Sequence, residues 1–577
     1  MTELRQDQEH RTNSGPLLKS PVCLSGQQAP SDIDASKPLG SLGPVALALR
    51  VSVVLAIAFA IVLRFWTRSD LWLDEALTVN IAHLPVSQIP AALRRDGAPP
   101  LFYILLHYWM DIFGTSDVAV RSLAGVFGVI TLPVAWLCGR HIGGRVVAWG
   151  AVLLLAVSPF AVYYDTEVRM YSLVVLLTGL GYLALRRVLI RPTVYNMIAV
   201  ALVSSALLYT HYWALYLLGV VGLWLIYEAF ITGRIWNGRG TDNFASSSGD
   251  PEDNSVGSPE NTVIKPKNAM AAIVAIIVGA LTFIPWLPIF IFQAHHTGTP
   301  WIHPAGPQIL VHVLGVMGGG GSFGGRLLFI IITILAFLAL FGVATSRYHI
   351  DLDIRTRPRG RAIAVIIAGT LLAGLIGGYI SNSGFVSRYA SVVFLPIVLL
   401  SAAGLLALAD TRVRSTVMAL AVVGGFAASV PNITTNRTQA GEVAGILARE
   451  GKPGDVVAYC PDQLGPAVNR LLPTSRYQQI TFPRGTGPEF VNWINYTQVV
   501  KAANPTVFAH HLYELSHGRS QIWVVWAPGY LPFGDKCQEI IQYLQDSPQL
   551  VWKQVLTTGP FFEGMGLFRF TSKPATG

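Results

Sequence analysis

This sequence has few charged residues. Only 13 % of its 577 residues are Asp, Glu, Lys or Arg, and the mean hydropathy is +0.49. A soluble globular protein carries about 25 % charged residues. The deficit lies in long apolar runs, so the composition excludes a soluble enzyme and indicates a membrane protein. The net charge of +9 is no sign of nucleic-acid binding, because cationic loops also orient membrane proteins and no nucleic-acid module is recognisable.

Cysteine is scarce as well, and its spacing excludes the common metal motifs. The four cysteines are Cys23, Cys138, Cys460 and Cys537. They form no CxxC pair and no Cys/His zinc spacing. The neighbouring His295 and His296 have no acid or thiol to complete a metal site. The sequence therefore identifies no certain cofactor; a divalent metal stays open but has no support in the sequence.

Apolar runs dominate the chain after a polar start. Residues 1–43 are rich in Ser, Gly, Pro and Gln, lack a cleavable signal peptide pattern and are expected to be disordered. A membrane span takes roughly 20 apolar residues. Eleven spans are expected at about 44–66, 118–139, 146–163, 170–185, 195–209, 213–231, 268–290, 326–345, 362–380, 388–409 and 415–431.

Loop charge decides whether the short apolar run 99–113 also crosses. If it stays on one side, the cytoplasmic segments hold 20 Lys and Arg residues, and the outer segments before the tail hold 5. This asymmetry satisfies the positive-inside rule, whereas a crossing would invert every later loop. The run is therefore predicted to be a juxtamembrane helix on the outer surface. The protein is expected in the plasma membrane, with the N-terminus cytoplasmic and the C-terminal domain outside.

Three domains follow from this pattern. They are a disordered N-terminus (1–43), a transmembrane domain (44–431) and an extracytoplasmic domain (432–577). A flexible cytoplasmic linker is expected at 234–267, which has few core-forming residues. The tail alternates β-rich and helical patterns and is long enough to bury its own core. The predicted fold is an all-α polytopic membrane bundle of about eleven helices, plus outer juxtamembrane helices and a small C-terminal α/β domain.

The tail contains the cysteines Cys460 and Cys537 and no others. Because disulfides persist on the oxidising side of a membrane, a bond between them is predicted. Two buried thiols are the alternative.

Polar residues gather in the predicted outer loops. An acidic pair follows the first span, and a D-x-x-P-P element with a Tyr closes the same loop. The next outer turn combines acids, Arg and Tyr; a later turn has a His between aromatic residues; and the last one has Arg-Tyr. The residues in chain order are Asp74, Glu75, Asp96, Tyr103, Asp165, Glu167, Arg169, Tyr171, His211, Arg388 and Tyr389. Acids near helix starts, charges that anchor an interface and an interfacial aromatic belt are the structural alternatives.

At these residues the sequence resembles the polytopic C-type glycosyltransferases, in particular protein O-mannosyltransferases and the lipid A aminoarabinose transferase. The shared elements span roughly 44–410: the DE pair, D-x-x-P-P-L-x-Y, E-x-R-M-Y-S-L, T-H-Y-W, P-W-I with Trp301, and S-R-Y. The basic residue that family members often carry before the double Pro is Ala98 here. The start of the tail, 455–462, is similar to actinobacterial membrane proteins of this group.

The resemblance implies a sugar, mannose or another hexose or pentose, carried on a polyprenyl phosphate in the bilayer. An acceptor hydroxyl would attack with inversion, on an extracytoplasmic glycan, lipid or protein. Asp74 is assigned as the carboxylate base with Glu75 in support, because attack by a hydroxyl needs a proton acceptor. The donor phosphate and sugar are assigned to Arg169, Tyr171, His211, Arg388, Tyr389, Glu167 and Asp165. Asp96, Tyr103 and Trp301 are assigned to the acceptor or to loop support.

Other classes of membrane protein stay open. A transferase or polymerase with a lipid-diphosphate donor would use similar loops. A transporter or flippase would place ionisable groups near the bilayer midplane and often shows internal repeats, and none is visible here. A non-catalytic assembly protein would not need carboxylates and arginines ordered in this way.

Overall fold

The computed structural model describes residues 44–232, 264–299, 302, 306–355, 358–381, 384–473 and 475–573. The predictions made for 1–43, for nearly all of the linker 234–267 and for Trp301 concern residues outside this part. The chain divides into two compact units, Met1–Ser52 and Val53–Gly577. All contacts given below lie within the second unit.

Sixteen helices precede the C-terminal domain in the described residues. They are α1 (Pro44–Leu63), α2 (Leu73–Ala82), α3 (Ile89–Asp96), α4 (Leu101–Phe113), α5 (Asp117–Val157), α6 (Pro159–Asp165), α7 (Tyr171–Ile190), α8 (Val194–Thr210), α9 (Ala214–Ile226), α10 (Pro266–Leu281), α11 (Leu287–His296), α12 (Ile309–Gly318), α13 (Phe323–Phe341), α14 (Pro358–Ile380), α15 (Phe394–Gly404) and α16 (Thr411–Thr434). A π-helical turn (Tyr227–Thr232) extends α9, and 3₁₀ turns (Ile284–Trp286, Ser387–Val393, Leu405–Ala407) join others.

The predicted polytopic bundle is confirmed. Seven helical stretches in the described part are long and apolar enough to cross a membrane, and five shorter apolar helices accompany them. Each of the eleven predicted spans falls mainly on helical residues, although those at 146–163, 213–231, 268–290 and 388–409 each run over more than one helical element. The long helix α5 contains the span 118–139 and most of 146–163, and it breaks between them at Gly143 and Gly144. Gly144 has φ +71°, a left-handed conformation that glycine adopts without strain, so the chain turns back there.

The run 99–113 forms α4, which is half buried. Phe102, Leu106 and Met110 are buried on one side of this helix, while Tyr108 and Ile112 are exposed on the other. Thirteen residues at 1.5 Å rise are too short to span the hydrocarbon core. The helix therefore has the length and the one-sided burial expected of a juxtamembrane helix.

The chain ends in a small sheet domain, as predicted. Its strands are β3 (Val456–Cys460), β4 (Gln478–Thr481), β5 (Ile522–Trp526), β6 (Leu550–Leu556) and β7 (Gly566–Ser572), preceded in the bundle by the short hairpin β1 (Gly342–Ala344) and β2 (Ile350–Leu352). The order is β4-β3-β5-β7-β6; the pairs of β3 are parallel and those of β7 antiparallel. Central strands β3 and β5 are almost wholly buried, which explains their continuous apolar sequence.

Helices cover this sheet: α17 (Ala440–Glu450), α18 (Gly465–Asn469), α19 (Tyr496–Ala502), α20 (Pro505–Leu515) and α21 (Lys536–Asp546). Cys460 at the end of β3 and Cys537 at the start of α21 are joined by a disulfide, with Cα atoms 5.5 Å apart. The bond fastens α21 to the centre of the sheet.

The sheet domain packs on one end of the bundle, called the site face below, at the loops 64–117 and 164–170. The amide of Trp493 donates to the carbonyl of Arg95 at 3.1 Å, and the amide of Asn495 donates to the carbonyl of His296 at 2.8 Å. The Asn80 side-chain amide donates to the carbonyl of Glu489 at 2.8 Å. These bonds hold the loop that follows β4 against the bundle.

Candidate active site

The helix that carries the acidic pair is held in place by residues far along the chain. α2 begins at Leu73, whose amide donates to a carboxylate oxygen of Glu563 at 3.1 Å. This contact satisfies one of the amides that a helix start leaves free. Asp74 is then in the first turn, and its Oδ2 lies 3.3 Å from Nη2 of Arg388, which follows α14 in the chain. Both side chains are mostly buried.

A cavity of about 1290 Å³, open to solvent, lies beside this ion pair. The turns after α3, α6, α8 and α14 all reach it, so four distant stretches of sequence meet there. Of the sequence-predicted residues, those lining the cavity are Asp74, Asp96, Arg169, Tyr171, His211, Arg388 and Tyr389. Ala98, which replaces the usual basic residue, also lines it, together with Trp493 from the sheet domain.

The two arginines have donors to spare. Nη1 of Arg169 donates to the hydroxyl of Thr78 at 3.0 Å. The Nε atoms of Arg169 and Arg388 and the hydroxyl of Tyr171 are buried and have no hydrogen-bond partner among the described residues. Buried donors without partners are costly unless a ligand satisfies them. Both arginine side chains line the cavity, and guanidinium groups are of the kind that bind a phosphate.

His211 is a neutral hydrogen-bonding group. Its Nδ1 accepts the amide of Trp213 at 3.2 Å, and its ring lies 5.9 Å from that of Tyr171 and 5.7 Å from that of Tyr389. Burial, with help from Arg169 and Arg388, lowers the pKa of His211 to about 3. A neutral ring that accepts at Nδ1 carries its proton on Nε2, so His211 can donate a hydrogen bond to a ligand.

Asp96 is a second carboxylate in the cavity. It ends α3, where Gly97 adopts φ +95° and reverses the chain. The hydroxyl of Tyr103, a wholly buried residue, donates to Asp96 Oδ2 at 2.9 Å. Burial raises the pKa of Asp96, and nearby Arg169 opposes that rise. Tyr103 thus supports Asp96 from outside the cavity.

Glu75 is separated from Asp74 in the structure and does not face the cavity. It is wholly buried, accepts from Arg121 Nε at 2.8 Å and from the amide of Val168 at 3.0 Å, and does not line the cavity. The attraction of Arg121 and these hydrogen bonds outweigh burial and lower the pKa of Glu75. The catalytic assignment of Glu75 is corrected to a positioning one, because its carboxylate ties α2 to α5 and to the turn that carries Arg169.

Asp165 and Glu167 are also corrected, since neither reaches the cavity. Asp165 pairs with Arg64 at 2.8 Å and accepts the hydroxyl of Ser172 at 2.7 Å. Glu167 is buried, and both its oxygens lack a hydrogen-bond partner among the described residues. Burial raises the pKa of Glu167 to about 7. Asp165 is therefore held beneath the turn by Arg64 and Ser172, whereas Glu167 is enclosed there without a hydrogen bond from the described residues.

Several positioning residues were missed by the sequence reasoning. Arg121 sits inside an apolar run, Arg437 follows the last span, and Trp493 and Glu563 lie in the tail. Arg437 donates to the Thr166 hydroxyl at 2.8 Å and so fixes the turn before Arg169. A charged residue within or beside a span was the available signal for the two arginines. Nothing in the tail sequence marks Trp493 or Glu563.

Within the described residues, no group of three or more His, Cys, Asp or Glu side chains could hold a metal ion.

Part of the chain matches a known family. Residues 97–238, about a quarter of the sequence, match the family model described as dolichyl-phosphate-mannose-protein mannosyltransferase. This match covers the double-Pro, E-x-R-M-Y and T-H-Y-W elements and confirms the resemblance to the polytopic glycosyltransferases. No curated protein matches the chain significantly.

Solved structures with a similar course of the chain include three transferases. ArnT from Cupriavidus metallidurans bound to undecaprenyl phosphate has a TM-score of 0.49 and 11 % identity, over 91 % of this chain and 98 % of that one. The oligosaccharyltransferase AglB from Archaeoglobus fulgidus has a TM-score of 0.42 and 10 % identity, over 91 % of this chain and 75 % of that one. The arabinofuranosyltransferase AftD from Mycobacteria has a TM-score of 0.46 and 14 % identity, over 91 % of this chain and 42 % of that one.

Proposed function

We propose that the chain is a membrane glycosyltransferase that moves a sugar from a polyprenyl-phosphate donor to an acceptor hydroxyl at the site face. The observation that carries this proposal is the meeting of Arg169 and Arg388 with the carboxylates Asp74 and Asp96 in one cavity beside membrane-spanning helices. The sugar is a hexose or a pentose. The family match supports the reaction class.

The arginines take the donor phosphate. Arg388 is the second residue of a 3₁₀ turn that continues into α15, and Arg169 lies two residues before the start of α7. Both arginines are therefore at helix ends of the bundle. The phosphate of a lipid donor lies at the membrane surface, where the ends of membrane-spanning helices are. The guanidinium groups neutralise the charge that grows on phosphate as the sugar leaves, and interactions that strengthen during the reaction raise its rate.

The phosphate and Asp74 compete for Arg388. In the structure Arg388 is paired with Asp74 at 3.3 Å. When the phosphate draws the guanidinium to itself, the carboxylate loses part of that attraction and becomes a stronger base. Donor binding would in this way prepare the proton acceptor.

The transfer itself balances as a single displacement. The acceptor oxygen forms a bond to the anomeric carbon while the bond from that carbon to the phosphate oxygen breaks. The electron pair leaves with the phosphate, and the hydroxyl proton passes to Asp74. Asp96 accepts a hydrogen bond that orients the acceptor, and His211 Nε2 and the Tyr171 hydroxyl donate to the sugar or phosphate.

The proposal places the protein in the plasma membrane with residues 1–43 in the cytoplasm and the site face outside. The 20 to 5 distribution of basic residues supports this orientation. Cysteines introduced at Asp250 and at the exposed Gln498 would be labelled from opposite sides of sealed cells. Labelling of both from one side would overturn the orientation.

The reaction is tested with purified protein in lipid nanodiscs. Polyprenyl-phosphate hexoses and pentoses are each mixed with short oligosaccharides or Ser/Thr peptides, and release of polyprenyl phosphate is measured. Release that requires both a donor and an acceptor is the expected result. The corresponding lipid-diphosphate sugars form the second arm. Turnover with that arm alone would establish the ligase or polymerase class instead, and no turnover or binding with either arm would refute the transferase.

A further inference from the structure

A second cavity lies between the bundle and the sheet domain. It has a volume of about 1120 Å³, solvent included, and its walls are α2, α3 and the loop 484–492 of the sheet domain. Asp96 lines this cavity as well as the one beside the Asp74–Arg388 ion pair, which is called the donor cavity below. The two spaces therefore adjoin at one carboxylate.

The loop that forms the far wall also reaches the donor cavity. Val491 and Asn492 line the second cavity, and the next residue, Trp493, lines the first. Hydrogen bonds from Trp493 to Arg95 and from Asn80 to Glu489 fasten this segment to α3 and α2. The sheet domain thus completes both cavities, and a ligand in the second one would end at Asp96.

The lining identifies the kind of ligand. Arg95 and Arg484 are offset by Asp96 and Glu489, so the cavity has little formal net charge. Gln88, Thr486 and Asn492 add neutral donors and acceptors, and the ring of Phe490 is 41 % exposed. Arg484 keeps a buried Nε that has no hydrogen-bond partner among the described residues. Hydroxyl-rich ligands pair with such mixed groups, and the C–H face of a sugar ring packs on an aromatic ring.

An extended peptide fits this cavity less well. Peptides often bind by adding a strand to the free edge of a sheet. The walls here are two helices and an irregular loop, whose residues are all described, and none of them offers a strand edge.

We propose that the cavity between α2, α3 and the loop 484–492 is the acceptor site, and that it binds a neutral glycan. The inference rests on the proposed transferase function. It assigns acceptor choice to the sheet domain, and it brings the acceptor hydroxyl to the donor cavity alongside Asp96.

The test measures glycan binding without turnover. Full-length protein in nanodiscs is examined by saturation-transfer NMR with a hexopyranose trisaccharide, a pentofuranose trisaccharide and a serine-containing hexapeptide. We expect one trisaccharide to bind and the variants Phe490→Ala and Gln88→Ala to weaken it at least tenfold. Tyr543 and Gln542 are exposed on α21 and do not line the cavity. The variants Tyr543→Ala and Gln542→Ala are therefore the matched controls, and they should bind the trisaccharide as the wild type does.

Donor binding is measured on the same samples with radiolabelled polyprenyl-phosphate mannose. Unchanged donor binding in Phe490→Ala and Gln88→Ala is expected, since neither residue lines the donor cavity. Failure of every trisaccharide to bind overturns the acceptor assignment even if the donor binds. Trisaccharide binding that Phe490→Ala and Gln88→Ala both retain overturns it as well. Preferential binding of the hexapeptide overturns it in favour of a peptide acceptor. Absence of binding by this donor and by every other polyprenyl-phosphate sugar would instead count against the proposed function.

Discussion

Asp74→Asn is the substitution that separates the chemistry of this site from its architecture. Asn has nearly the same shape as Asp, and α2 keeps its amide contact with Glu563 and its anchor through Glu75 and Arg121. The side chain loses its negative charge and hence its ability to take the acceptor proton. Loss of a general base lowers turnover by ~10²–10⁴-fold, which is about 3–5 kcal/mol in the barrier.

Donor binding should not fall together with turnover in Asp74→Asn. Asp74 Oδ2 and Arg388 Nη2 are 3.3 Å apart. At an effective dielectric constant of 20 two unit charges at that distance attract by about 5 kcal/mol, which is an upper bound because desolvation offsets most of it. The asparagine no longer competes with the phosphate for Arg388. Donor affinity should therefore stay the same or rise while turnover falls.

The assay is single-turnover release of polyprenyl phosphate, with donor binding measured separately at equilibrium. Asp111→Asn is the matched control, because that aspartate is 65 % exposed on α4 and lies outside the cavity. It should behave as the wild type. Wild-type turnover by well-folded Asp74→Asn would show that Asp74 is not the base, and Asp96→Asn would then be the variant to examine.

Three further predictions concern Arg388, Glu563 and the disulfide of the sheet domain. Arg388→Ala should weaken donor binding and slow turnover by tenfold or more, because the guanidinium binds phosphate before and during the reaction. Arg326→Ala, at an exposed arginine on the site face, is the control, and equal losses in the two variants would contradict the assignment. Burial raises the pKa of Glu563 to about 8. Between about pH 4 and pH 8 the folded state therefore holds a proton that the unfolded state has lost, and stability should fall as the pH rises through that range. Glu563→Gln should remove this pH dependence of the melting temperature, and an unchanged dependence would refute the prediction. The disulfide between Cys460 and Cys537 closes a loop across 77 positions and should stabilise the domain by about 4 kcal/mol; non-reducing mass spectrometry should find the pair, and two free thiols would contradict it.

The sequence by itself determined the class of the protein and the side of the bundle where polar groups gather. Apolar length and loop charge are local properties, so they can be read from the chain without knowing which helices touch. The loop residues Asp74, Asp96, Arg169, His211 and Arg388 were selected in this way, and all of them line one cavity.

Only the tertiary structure decided which polar residues face that cavity. Asp74 and Glu75 are neighbours in sequence, yet successive residues of a helix point in directions about 100° apart. One meets Arg388 in the cavity and the other is buried against Arg121. Asp165 was assigned to the donor for the same reason as Arg169, but the buried Arg64 holds it away.

The contribution of the sheet domain was beyond the reach of sequence patterns. Trp493 and Glu563 reach the site through contacts with residues several hundred positions earlier in the chain, in loops that carry no motif of their own. Local composition determines whether a segment spans a membrane or builds a sheet. Which loop of that sheet closes the cavity depends on how two folded parts pack together, and that packing is a property of the whole molecule.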